Sequence, residues 1–393
     1  TTLVTLSYLI SRSKYRQANP FLKNSILILG AYVLWVLIVN LLIMRSEVSA
    51  IAKGLVTFIV RSSFLISMPF FIRRERDLKN IVFFILFIIS FSSFVGIMQI
   101  LIGEPFYSIR SAFSKVISFD PTWAGRAVGL SLTHITFSYD LLVGLGISIG
   151  LLSFSYNFGR LTKRYVTIAA LVMVGGLLSS YTRSAIVGVL VSAVFSIYWL
   201  NRNRVKSPKK LVIITAILLG IGAIWVNQSG LFRYRLISTG GPTIEGRVPL
   251  FITAFNIAKE NPLGVGTTKY EEYAEEQYFY VKHLPMSKAV LQTTAHNHLL
   301  MILAYYGFPG AIILIVFLAK LIQSAKFLFS MAESPFLKSI GAAFLAYLCG
   351  YVIHFSFHNA GPFAGDEFFW YFAGILMAGI SIAMKENRRI SLE

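Results

Sequence analysis

The chain has 393 residues, 56% of them hydrophobic and only 13% charged, with a mean hydropathy of +0.69. A soluble domain carries about 45–50% apolar and about 25% charged residues, so this balance excludes a soluble enzyme, a disordered chain and a nucleic-acid-binding module. It describes an all-α polytopic membrane protein, in which the net charge of +19 is first of all a topology signal.

In chain order, residues 1–11 are apolar but too short to span, and read as the tail of a helix whose start is missing. Ten apolar stretches follow, at 25–44, 55–72, 81–102, 134–154, 166–180, 185–200, 211–226, 297–322, 337–357 and 367–384. With the truncated first one, about 11 transmembrane helices are expected in this chain. The stretches at 166–180, 185–200 and 211–226 fall short of the roughly 20 residues that a bilayer requires, and lean on uncharged polar flanks. The lone cysteine, Cys349, lies inside an apolar run, so no intrachain disulfide can form.

Orientation follows from the basic loops. Segments 12–23, 73–79, 160–164, 202–210, 320–338 and 385–389 hold 4, 4, 3, 5, 3 and 3 Lys and Arg, together 22 of the 36. They alternate with all the other loops, which makes them cytoplasmic and their charge a contact with anionic headgroups. The opposite side carries 45–54, 103–133, 181–184, 227–296 and 358–366. The chain thus divides into N-terminal membrane helices (1–226), a long loop with amphipathic helices (227–296) and C-terminal membrane helices (297–393). A loop that long is functional or disordered, and its Tyr, Pro, Gly and periodic apolar positions point to structure. Within it, Tyr270, Tyr273, Gln277 and Tyr280 share one helical face, with Glu271, Glu272, Glu275 and Glu276 on the other.

The outer side is rich in the groups that bind phosphate. Arg110, Arg126, Arg183, Arg233, Arg235 and Arg247 run against the charge rule, and all six histidines (His134, His283, His296, His298, His354 and His358) fall at or near outer helix ends. A planar guanidinium suits bidentate recognition of phosphate, although any one of these arginines could simply snorkel to headgroups. Arg183 stands out, because it sits in a polar hairpin, Ser179 to Ser184, where the next helix begins and its free N–H groups add to the positive field. Arg247 follows Glu245-Gly246, and Asn261-Pro262-Leu263-Gly264 after it reads as a chain reversal. His296, Asn297 and His298 lead a long apolar helix that Gly307 and Gly310 should bend. A neutral imidazole can accept a proton near pH 7, and only one of His296 and His298 can face a given site. His354 and His358 are spaced as one helical turn, a zinc half-site in principle, but without the glutamate between them that a zinc hydrolase needs; lining a polar cavity is the better reading. Arg61 and Asp140 lie at equal depth inside two helices and are expected to pair or to serve function.

Taken together these residues resemble the bacterial O-antigen ligase and O-antigen polymerase superfamily. His296-Asn297, nine residues, Gly307, two residues and Gly310 looks like the ligase signature. Leu178 to Ala185, carrying Arg183, resembles the superfamily's "LTxSR" hairpin, with Ser180-Tyr181 as a departure, and Arg126 followed by Gly129 its "RxxG" element. The likeness covers about residues 80–380 and implies about one further helix before residue 1. It also implies a glycosyltransferase in the bacterial inner membrane with its site facing the periplasm. The donor is then a glycan on undecaprenyl diphosphate, and the acceptor lipid A–core or, in a polymerase, a second lipid-linked glycan. His296, Arg247 and Arg183 are the catalytic candidates, and Arg126, Asn297, Arg61, Arg235, His354 and His358 the substrate-binding ones. Neither cofactor nor metal is expected, and no nucleic acid. A transporter or flippase of lipid-linked sugars is the alternative from another class, disfavoured because the polar residues crowd the outer end rather than the midplane.

Overall fold

The computed structural model describes residues 19–113, 126–154, 158–203, 244–281, 295–364 and 366–390. The stretches expected at 1–11 and 211–226 lie outside these residues. Among the described residues, nine helices are long and apolar enough to cross a membrane, and they coincide with the other nine stretches. The chain is an all-α, multi-pass membrane protein.

The helices are α1 (Pro20–Leu37, continued by a π-helical turn Ile38–Ile43), α2 (Val48–Phe71), α3 (Glu75–Leu101), α4 (Glu104–Phe113), α5 (His134–Ser153), α6 (Arg160–Ser179) and α7 (Arg183–Arg202). After the undescribed stretch come α8 (Ile244–Glu260), α9 (Gly266–Val281), α10 (His298–Met331), α11 (Pro335–Phe355) and α12 (Glu367–Ile390). The two described short spans reach full length because polar and basic ends join the helix: α6 starts at Arg160 and α7 runs from Arg183 to Arg202, 20 residues each. Local chemistry sets the starts. Pro20 opens α1 where a missing N–H costs nothing, and Asn19 Oδ1 accepts from Leu22 N at 3.1 Å. Thr133 caps α5 in the same way, and Asp366 accepts from Phe369 N to cap α12.

Two compact units emerge. One comprises Thr1–Ser67, Arg235–Gln323 and Phe355–Trp370, and the other Met68–Tyr234, Ser324–His354 and Tyr371–Glu393. In the second unit, α5 is buried on nearly every side, between α3, α6, α7 and α11. Helices in lipid gain little from apolar burial and associate through close packing of small residues. Accordingly, a side chain at Gly150 would collide with Ser339 and Ala343 of α11, and one at Gly188 of α7 with the backbone of Gly350.

The first unit is organised around a break in α10. Gly307 has φ 65° and ψ −168°, with Pro309 two residues on, so the helix kinks as its glycines predict. The Asn261–Gly264 segment does more than reverse the chain: it docks into the kink. Phe308 N donates to Pro262 O at 2.9 Å, and Val265 N donates to Ala304 O at 3.1 Å. Trp35 of α1 donates from Nε1 to Tyr306 O at 2.7 Å. Each bond satisfies a backbone group that the break releases. Gly264 (φ 93°) and Gly307 face each other so closely that a Cβ on either would strike the other's backbone. The π-helical turn then presents Asn40, whose Oδ1 accepts from Thr267 N at 3.3 Å, holding the start of α9. In α9, Tyr270, Ala274 and Gln277 are buried and Glu271, Glu272, Glu275 and Glu276 exposed, as the amphipathic pattern requires. Gln277 donates to Glu260 at the end of α8 at 2.8 Å.

Candidate functional site

In the second unit, polar side chains of α3 build the ground on which Arg126 stands. Gln99 Oε1 accepts from Val128 N and Gly129 N, both at 3.0 Å, and its Nε2 donates to Gly129 O at 2.9 Å. Ser92 Oγ accepts from Leu130 N at 2.9 Å. The turn so held puts Gly129 at φ 55° against Ser92 and Phe137, where no Cβ fits, and this is why the element needs its glycine. Tyr107 donates to Arg126 O at 3.2 Å; burial first, then Glu104 and Tyr181, raises its pKa and keeps it a donor. The guanidinium of Arg126 bonds His134 Nε2 at 2.7 Å, and because arginine only donates, that nitrogen accepts. Ala127 N donates to Ser179 O at 3.0 Å, tying this element to the 179–184 hairpin.

The hairpin turns through Tyr181 in the left-handed region, φ 52°. Arg183 is the first residue of α7 and is exposed. Next to it, Ser184 Oγ shares a 2.9 Å hydrogen bond with His354 Nδ1, and the buried His354 ring lies 4.2 Å from that of Tyr139.

In the first unit, three successive residues take three separate roles. His296 precedes α10 in a left-handed conformation, φ 45°, and is half-buried. Its pKa is lowered, first by burial and then by the charge of Arg247, so the two lie within electrostatic reach. Arg247, in the first turn of α8, also stands 5.9 Å from the Phe357 ring. Asn297 uses both ends of its amide on backbone: Oδ1 accepts from Leu300 N at 3.0 Å and Nδ2 donates to Ser356 O at 2.9 Å. His298 is fully buried, donates from Nδ1 to Asn359 O at 3.1 Å, and packs where a side chain on Gly361 would be. Asn297 and His298 thus fasten the 356–361 segment, and of His296 and His298 it is His296 that feels the charge of Arg247.

Two expectations change. Arg61 pairs with Glu367, not with Asp140: its Nε and Nη2 donate to the same carboxylate oxygen at 3.1 and 2.9 Å. Asp140 instead accepts from Ser131. His354 and His358 are not a turn apart on one helix, because α11 ends at Phe355 and His358 follows in a turn. Arg233, Arg235, His283 and the side chain of Arg110 lie outside the described residues. Gln99, Ser92 and Asn40 were not singled out from sequence; polar residues on apolar helices were the available signal.

Comparison with curated proteins finds no match. A family model described as O-antigen ligase matches residues 168–315, a stretch containing Arg183, Arg247, His296, Gly307 and Gly310, with Arg126 upstream of it. Over residues 168–315 the chain is therefore similar to the O-antigen ligase family, which supports the resemblance to the O-antigen ligase and polymerase superfamily.

Proposed function

We propose that the protein transfers a glycan from undecaprenyl diphosphate to a sugar hydroxyl of lipid A–core, on the periplasmic face of the bacterial inner membrane. The family match supports a ligase-type membrane glycosyltransferase. The observation that carries the finer reading is the half-buried His296 beside Arg247, with its pKa lowered by burial and by that charge. Such an imidazole is neutral at pH 7 and free to take a proton.

In the reaction the bond between the anomeric carbon and the diphosphate oxygen breaks, and a bond from the acceptor oxygen to that carbon forms on the opposite face, inverting the centre. The acceptor's proton passes to the His296 ring. The departing diphosphate gains negative charge that the guanidinium of Arg247 stabilises. A part for Arg183 and Arg126 in binding the donor is what the family resemblance implies. A diphosphate leaves without protonation, so the scheme calls for no nucleotide or metal. Asn297 acts by positioning, since its amide is spent on the start of α10 and on Ser356.

The test uses purified protein with a lipid-linked donor and either lipid A–core or a second donor molecule. Transfer to the core establishes the ligase. Chain growth without such transfer would make the protein a polymerase, and neither product would overturn the reading.

A further inference from the structure

A cavity of about 420 Å³ lies inside the first unit, between α1, α2, α10 and the 362–364 turn. Its floor is aromatic: Tyr32, Phe58, Tyr306, Phe363 and Trp370 all line it, with the Tyr32 and Phe363 rings 4.0 Å apart. Its α2 wall carries Lys53, Thr57 and Arg61 on successive turns of one face, while Val56, Ile59 and Val60 turn outward and are exposed. Gly54 lies in the same wall, and a Cβ added there would meet nothing within 4 Å. Topology does not explain these two cations, since the charge rule disfavours Lys and Arg at the outer end of a span.

We propose that this cavity holds one acyl chain of an anionic phospholipid, with its phosphate at Lys53, Thr57 and Arg61. An aromatic chamber in a membrane helix bundle with two cations on one wall matches a chain bearing an anionic head. Size selects the chain: at about 30 Å³ per water-sized group, close to a methylene, the space takes roughly fourteen such groups, enough for an acyl chain and far too few for a long polyprenyl chain. Arg61 can turn to a phosphate. Both of its donating nitrogens in the ion pair serve one oxygen of Glu367, leaving Nη1 unused by that pair, and the side chains of Arg61 and Glu367 are 27% and 55% exposed. An ion pair so exposed is weakly held and exchanges readily for another anion. The inference does not depend on the transferase reading, because its test measures binding alone.

Trp370 provides the readout. The protein is placed in phosphatidylcholine nanodiscs containing increasing fractions of phosphatidylglycerol brominated on one acyl chain. The emission that disappears in Trp370→Phe is followed as the Trp370 signal. Saturable quenching is expected, half-complete at about a tenfold lower fraction than with brominated phosphatidylcholine. Lys53→Gln, alone and with Arg61→Gln, should erase that preference, and Glu367→Gln should strengthen it several-fold. Gly54→Leu should abolish the saturable quenching while leaving the fold intact, since its side chain enters open space and favours the helix. Equal quenching by the two lipids, or undiminished quenching in Gly54→Leu, would overturn the proposal. So would displacement of the brominated lipid by an equal fraction of undecaprenyl phosphate, which would give the cavity to a polyprenyl chain.

Discussion

The hairpin region of the second unit and the kinked region of the first solve one problem by different means. Both must hold a charged residue beside a backbone that has left its helix. Around Arg126 and Arg183 the work falls to side chains: Gln99, Ser92 and His354 reach from buried helices and take up the free groups of the turns. In the first unit the break in α10 is filled by backbone, with the 261–265 segment bonded directly to it, while the turn carrying His296 is held by the side chains of Asn297 and His298. The first arrangement tolerates small changes where a side chain can be exchanged for another of similar shape, but not at Gly129, where no Cβ fits. The second leaves no room at Gly264 and Gly307, where the chains touch. The contrast teaches that a break filled by backbone is more rigidly specified than a turn held by side chains.

The largest effect that would test this contrast is at His296. His296→Ala should lower the transfer rate by about 10²–10⁴-fold, as for loss of a general base, while retaining donor binding in a filter assay. His298→Ala should leave a larger share of the rate and instead lower the melting temperature, because that ring fills space against Gly361. A His298 variant that melts normally and loses the rate would exchange the two assignments. Arg183→Lys should follow, losing about tenfold or more of turnover although the charge is kept, since a point charge does not reproduce a guanidinium fork. Near-normal turnover of that variant on purified lipid-linked donor would remove the bidentate contact. Gln99→Leu should cost about 1–3 kcal/mol for each buried N–H it leaves unsatisfied, read as thermal destabilisation in detergent. Comparable stability to wild type would show that the turn holds itself.

The smallest effect is in the pH profile. With its pKa lowered, His296 stays neutral to more acidic pH than a free imidazole, so activity should be level from pH 8 to 7 and fall only below about 6.5. Arg247→Gln removes the second of the two causes and should move that fall toward higher pH. A profile flat down to pH 5 in both proteins would exclude His296 as the base.

Much of the architecture was legible from residues. Apolar runs of bilayer length and alternating basic loops place the described spans because lipid permits few alternatives: every backbone group in hydrocarbon must bond within its own helix. Gly307 and Gly310 announced a bend in α10, and the two faces of α9 were readable from tyrosines and glutamates. The Arg61 partner was not readable, since Asp140 matched it in depth and sign while Glu367 stands at the start of its helix. Nor was Gln99, because a polar residue on an apolar helix signals that something is bonded without naming what.

What the sequence by itself determined, then, is where the described spans lie and which residues offer groups suited to proton and phosphate chemistry, since hydropathy and charge belong to residues and short windows. The tertiary structure alone decided which of His296 and His298 feels the charge of Arg247, what fills the break in α10 and where a cavity remains. Those depend on contacts between segments far apart in sequence. Tyr306 accepts from Trp35 across 271 residues, and Arg61 reaches Glu367 across 306. Such partners are chosen by the meeting of surfaces, and no window of the chain contains both of them.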